Sequence, residues 1–163
     1  SCRLADGLYL ITPSGRPKAE IDVHELIVVK DTGAVVSGSG RPSSEFRLHL
    51  LVYQKRPDVH AVVHAHPVHA VALSLLEEEI EPIDAEGRYY LSKVPVLAAS
   101  ETIGSKEVGE KLPALLNLHK IVVVRGHGSF AAGRTLEEAY LWTSSLENAC
   151  RIIYLTRTLK KTL

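Results

Sequence analysis

The chain has 163 residues, enough for one domain with a sizeable core; 45% of them are hydrophobic and 23% charged. Nineteen basic and 19 acidic side chains cancel to a formal net charge of zero, which gives no electrostatic reason to expect a nucleic-acid or membrane partner. The apolar runs fall well short of the ~20 residues of a membrane span, no signal peptide is evident, and Cys2 and Cys150 make no disulfide framework, so a reducing cytoplasm is the expected setting. Ser1-Cys2-Arg3 is not a usual translation start and the chain has no methionine, so an N-terminal segment is expected to be missing, or methionines to have been dropped as modified residues.

In chain order, Leu8–Thr12 reads as a strand closed by the turn Pro13-Ser14-Gly15-Arg16-Pro17. Leu26–Lys30 and Ala34–Val36 read as a hairpin around Asp31-Thr32-Gly33. After the Gly/Ser loop Ser37–Pro42, a helix is expected from Ser43 or Ser44, with Phe46, Leu50 and Tyr53 on one face. Val59–His66 reads as a strand and Val68–Glu78 as a helix opened by Pro67. Tyr89–Leu91 and Val94–Leu97 read as short strands, and Lys106–Leu118 as a helix interrupted at Pro113. Ile121–Val124 is a buried strand that Gly126-His127-Gly128 turns into a second, Ser129–Ala132. Thr135-Leu136-Glu137-Glu138 is a capping box for a final helix to about Leu159, with Arg157, Lys160 and Lys161 near its C-terminal end. Interleaved helices and hairpin-like strands predict a mixed, largely antiparallel sheet with helices packed on it.

The chemistry concentrates in Val62-Val63-His64-Ala65-His66-Pro67. Residues i and i+2 of a strand share a face, so His64 and His66 project together where an apolar strand ends. Two imidazoles side by side suit a divalent metal. His127, between two glycines at another strand end, would complete a three-histidine set with an open fourth position; it also fits a turn residue hydrogen-bonded to backbone. His69 sits where metallo-β-lactamase-like hydrolases carry a ligand, but Val68 occupies their aspartate position and cannot ligate, so His69 reads as a structural or substrate-side residue. His24, His49, His60 and His119 have no motif and read as surface or ordinary hydrogen-bonded histidines. Ser43-Ser44-Glu45 follows a glycine-rich loop, where hydroxyls and backbone N–H groups can cradle a phosphate, or simply cap a helix. Thr12-Pro13-Ser14-Gly15 offers donors of the same kind.

Taken together these segments resemble the class II aldolase and adducin-like family over nearly the whole chain, 1–163, as a single domain. The resemblance is carried by Asp6-Gly7 through Leu10-Ile11-Thr12-Pro13-Ser14-Gly15, by Pro42-Ser43-Ser44-Glu45-Phe46-Arg47-Leu48-His49, by Val62-Val63-His64-Ala65-His66, and by Arg125-Gly126-His127-Gly128 with Gly133 and Leu136-Glu137-Glu138-Ala139. It implies a three-layer α/β/α domain and a homotetramer with active sites between subunits. It implies one zinc ion per subunit held by His64, His66 and His127, and Glu45 as acid/base and as a possible fourth ligand at rest. Ser14, Gly15, Ser43 and Ser44 would hold the substrate phosphate. The implied reaction cleaves a phosphorylated ketose, such as L-fuculose 1-phosphate, to dihydroxyacetone phosphate and a short aldehyde. Related activities on the same scaffold are sugar-phosphate epimerase and methylthioribulose-1-phosphate dehydratase; the epimerase branch carries aspartate where Glu45 stands. The adducin-like branch is non-catalytic and lacks the metal ligands. One departure stands out. Ala85 occupies the place of the family's catalytic tyrosine, with Tyr89 and Tyr90 nearby, and Asp84 and Glu86 are expected to be able to face the site instead.

Overall fold

The computed structural model describes residues 1–5 and 7–160; Asp6 and Lys161 of the segments named above lie outside the described residues. Among the described residues nine strands form one sheet: β1 Cys2–Ala5, β2 Leu8–Ile11, β3 Ile27–Lys30, β4 Val35–Ser37, β5 Ala61–Ala65, β6 Glu79–Ile80, β7 Val94–Leu97, β8 Ile121–Val124 and β9 Gly128–Gly133. Their order is β4-β3-β2-β1-β5-β9-β8-β7-β6. Only β7 and β8 pair in parallel; every other neighbouring pair is antiparallel. The described residues also form five α-helices: α1 Phe46–Lys55, α2 Val68–Ser74, α3 Ala85–Leu91, α4 Lys106–Leu118 and α5 Leu136–Lys160.

The layering follows from the alternation of side chains along each strand. On β8, Val122 and Val124 join Leu48, Val52, Leu112 and Leu116 of α1 and α4, whereas Ile121 and Val123 join Ala70, Trp142, Leu146 and Cys150 of α2 and α5. Both faces of the sheet are therefore covered, giving the expected α/β/α sandwich with a mixed, largely antiparallel sheet. Among the described residues no helix is long and apolar enough to cross a membrane.

Several elements depart from the sequence reading. Tyr89–Leu91 is not a strand but the end of α3, because the Asp84 carboxylate accepts the Gly87 N–H at 2.7 Å and starts a helix that Tyr-Tyr-Leu propensity alone does not signal. The helix predicted to reach Glu78 ends at Ser74, which frees Glu79 and Ile80 to pair with β7. Pro113 does not interrupt α4: the helix runs through it with the ring buried. Neither Ser43 nor Ser44 caps α1; the cap position is Glu45, and it makes no side-chain capping bond. At α5 the Glu138 N–H reaches Thr135 Oγ1 at 3.1 Å as the capping box requires, but the Glu138 carboxylate accepts from Arg134 N rather than Thr135 N.

Candidate metal centre

The antiparallel register of β5 and β9 builds the centre. His64 stands opposite Phe130 and Ala65 opposite Ser129, so the end of β5 lies against the start of β9. The turn between β8 and β9 carries His127, with Gly126 at φ +66° supplying the left-handed bend. One ligand atom each from His64, His66 and His127 lie within 4.8 Å of one another, and the ring centroids are 4.8–5.2 Å apart.

Two of the rings have their orientation set by backbone. His64 Nδ1–H donates to the Ser129 carbonyl at 2.9 Å, and His127 Nδ1–H to the Thr102 carbonyl at 2.8 Å. A carbonyl only accepts, so each Nε2 is left with its lone pair free for a metal. His64 Nε2 is buried with no hydrogen-bond partner. Burial pushes the His64 imidazole down to about 4, against the Ser129 carbonyl, and burial then the neighbouring His127 lower His66. His64 is therefore neutral near pH 7, as a ligand must be. Gly128 makes the packing possible: a Cβ there would lie 2.8 Å from His66 Cδ2 and 3.2 Å from His64 Cε1. A buried lone pair without a partner, a neutral His64 and a side-chain-free wall all fit a divalent ion.

Glu45 is only 3% exposed, and no hydrogen bond of ordinary geometry reaches its carboxylate oxygens, although the Gly104 backbone lies close to them. Burial raises its pKa above the usual carboxylate range, with the His127 charge and the Gly104 backbone opposing part of the shift. It is not one of the side chains gathered within ligand distance, which come to three imidazoles among the described residues. Its placement beside the histidines rather than among them suits proton transfer.

The two hydroxyl-bearing turns are laced together. Ser14 N donates to Arg41 O at 2.9 Å, Ser43 N to Thr12 O at 3.0 Å, and Pro13 bridges Pro42. The two turns thus lie side by side, Gly15 at φ +74° has open space around its Cα, and Ser44 is exposed next to buried Glu45.

The remaining candidates lie elsewhere. Asp84 and Glu86, expected to be able to face the site, do not join the histidine cluster: Asp84 caps α3, and Glu86 is exposed in that helix's first turn. Ala85 opens α3, whose Tyr90 ring lies 5.8 Å from Trp142 of α5, in the opposite helix layer from α1. His69 is structural, bound to Glu147 at 2.7 Å. His24 and His60 are exposed. His49 is an ordinary hydrogen-bonded histidine, paired through Nδ1 with Ser1 Oγ at 2.8 Å, yet its ring packs edge-on 6.5 Å from His64. Sequence reasoning does not single out Glu147; a lone acid on a polar helix face carries no local signal of a long-range contact.

The profile described as Class II Aldolase and Adducin N-terminal domain matches residues 1–154. The L-fuculose phosphate aldolase of Escherichia coli (strain K12) is 34% identical over 162 residues, covering 96% of this chain and 71% of that protein. A 3-oxo-tetronate 4-phosphate decarboxylase from Pectobacterium atrosepticum is 32% identical over 160 residues, 95% and 72% of the two chains. The crystal structure of L-fuculose-1-phosphate aldolase from Thermus thermophilus superposes with a TM-score of 0.90 at 35% identity, covering 98% of this chain and 83% of that one. With the profile spanning nearly all of its length and these relatives matched over most of theirs, the chain belongs to the class II aldolase family of lyases.

Proposed function

We propose that this protein is a zinc-dependent aldolase that cleaves a phosphorylated ketose of the L-fuculose 1-phosphate type to dihydroxyacetone phosphate and a short aldehyde. The observation that carries the reading is the convergence of three imidazoles, with the buried Glu45 carboxyl within electrostatic reach of His127. His64, His66 and His127 would hold the ion, which when bound supplies Lewis acidity toward a substrate carbonyl. Glu45 takes and returns the proton at the carbon next to that carbonyl, and its raised pKa brings it nearer the range where a carboxyl group does both. Ser14, Gly15, Ser43 and Ser44 bind the phosphate through hydroxyls and backbone N–H groups, which fixes the ketose relative to Glu45.

A homotetramer with sites between subunits is part of the proposal. Val68, Leu75 and Ile103, neighbours in sequence or space of His66, Gly126 and Thr102, are 73%, 60% and 70% exposed, an apolar rim that a second copy of the chain would cover. Such a copy would also supply the groups on the aldehyde side that Ala85 does not.

The decarboxylase relative supports a second reading, loss of carbon dioxide from a 3-oxo acid phosphate at the same site. Product analysis separates the two. With L-fuculose 1-phosphate the aldolase reading expects dihydroxyacetone phosphate, lost on chelation and restored by zinc. Ribulose 5-phosphate and methylthioribulose 1-phosphate test the epimerase and dehydratase alternatives. Borohydride trapping of substrate on a lysine would overturn the metal mechanism.

A further inference from the structure

The three imidazoles are not held alike. His64 and His127 each have an Nδ1–H bound to a carbonyl, but His66 has no ring hydrogen bond among the described residues. Metal-ligating histidines are commonly fixed by such a bond, and losing it costs about 10–100-fold in metal affinity. His66 must be aimed through its backbone instead.

That backbone runs through Pro67 straight into α2, and the first turn of α2 is gripped from α5. The Glu147 carboxylate accepts the His69 N–H at 3.0 Å, the Ala70 N–H at 3.2 Å and the His69 ring Nδ1–H at 2.7 Å. Two amides that a helix start leaves unpaired are thus satisfied by a side chain 77 and 78 residues further along the chain. At its other end α2 holds the third ligand's turn: Gly126 N donates to Ser74 Oγ at 3.0 Å, and that hydroxyl donates to Val71 O at 2.7 Å. α2 therefore links the His66 segment to the His127 turn, and its entry angle decides how His66 faces the other two rings.

We propose that Glu147 is the positioning residue for His66. It does through the start of α2 what Ser129 and Thr102 do directly for His64 and His127. The inference rests on the three-histidine metal site proposed above.

The test is a zinc competition titration, with the visible spectrum of the cobalt-substituted protein as a readout of ligand geometry. Glu147→Ala removes the acceptor of all three bonds. Zinc affinity is expected to fall about tenfold or more, with a changed cobalt spectrum. His69→Ala keeps both backbone bonds and removes the ring bond, and is expected to lose severalfold, which covers the case of a poorly folding Glu147 variant. Glu138→Ala is the control: it removes a backbone bond of the same kind, from Arg134 N, at the opposite end of β9. It should lower Tm and leave zinc affinity within twofold. Wild-type affinity and spectrum in the Glu147 and His69 variants, or an equal loss in the Glu138 variant, would overturn the inference alone. A wild-type protein that takes up no zinc at these histidines would overturn the metal site and the inference together.

Discussion

The imidazole of His64 stacks on the ring of Phe130, 4.1 Å between centroids and 20° from parallel. The two residues face each other across β5 and β9, so a core side chain and a proposed metal ligand share one register. Phe130 is fully buried, and Phe130→Ala should destabilise the fold by about 3–5 kcal/mol while freeing the His64 ring. Phe130→Leu should keep more of the stability and still weaken zinc binding. Denaturant midpoints and zinc titrations on the two variants separate the effects.

Gly128→Ala should damage the site and the β5–β9 pairing together. The added methyl runs into the Ala65 carbonyl of β5 and meets His66 at 2.8 Å and His64 at 3.2 Å. Zinc content and activity are expected to drop at least tenfold, and Tm to fall with them, because the methyl presses on the β5 backbone as well as on the rings. Metal analysis beside calorimetry checks this; a variant with full zinc would contradict the geometry.

Glu45→Gln keeps the shape and removes the proton carrier. On the proposed mechanism kcat should fall about 10²–10⁴-fold with zinc retained. Because burial already disfavours the charged carboxylate, the variant should be no less stable than the parent. Exchange of the substrate's α-proton with deuterated water reports the step directly.

Ser43→Ala and Ser14→Ala should act on substrate binding. Each is expected to raise KM for a phosphorylated substrate about three- to tenfold, with kcat within twofold. Inhibition by inorganic phosphate should weaken in parallel. A fall in kcat at constant KM would place these hydroxyls elsewhere in the reaction.

Arg56 sets a pH dependence of stability far from the histidines. Its guanidinium contacts Asp58 at 2.6 Å and holds that carboxyl down to about 2. A depressed carboxyl stabilises the fold fully above its unfolded value, near pH 4, and the contribution disappears as pH falls through about 2. The Asp58 side chain is half exposed, so solvent screening limits the effect to about 0.5 kcal/mol. Asp58→Asn should lower Tm slightly at pH 7, and the difference from the parent should close in acid.

Local sequence carries what depends on near neighbours. The unbroken Ile121–Val124 run announces a strand buried on both faces, and His-Ala-His places two rings on one side of a strand, because both follow from the two-residue period. Ser43-Ser44-Glu45 is legible as a patch but not as a geometry: the serines do not cap the helix, and the burial of the glutamate depends on what packs over it. Tyr89–Leu91 is helical through a cap from Asp84, against its β propensity. Tertiary structure alone decided that β9 pairs with β5 so that His127 meets His64 and His66 from a distant part of the chain, and that Glu147 reaches the start of α2. Such contacts arise from long-range strand pairing and helix docking, whose free energy depends on the whole core and leaves no periodic trace in the residues that make them.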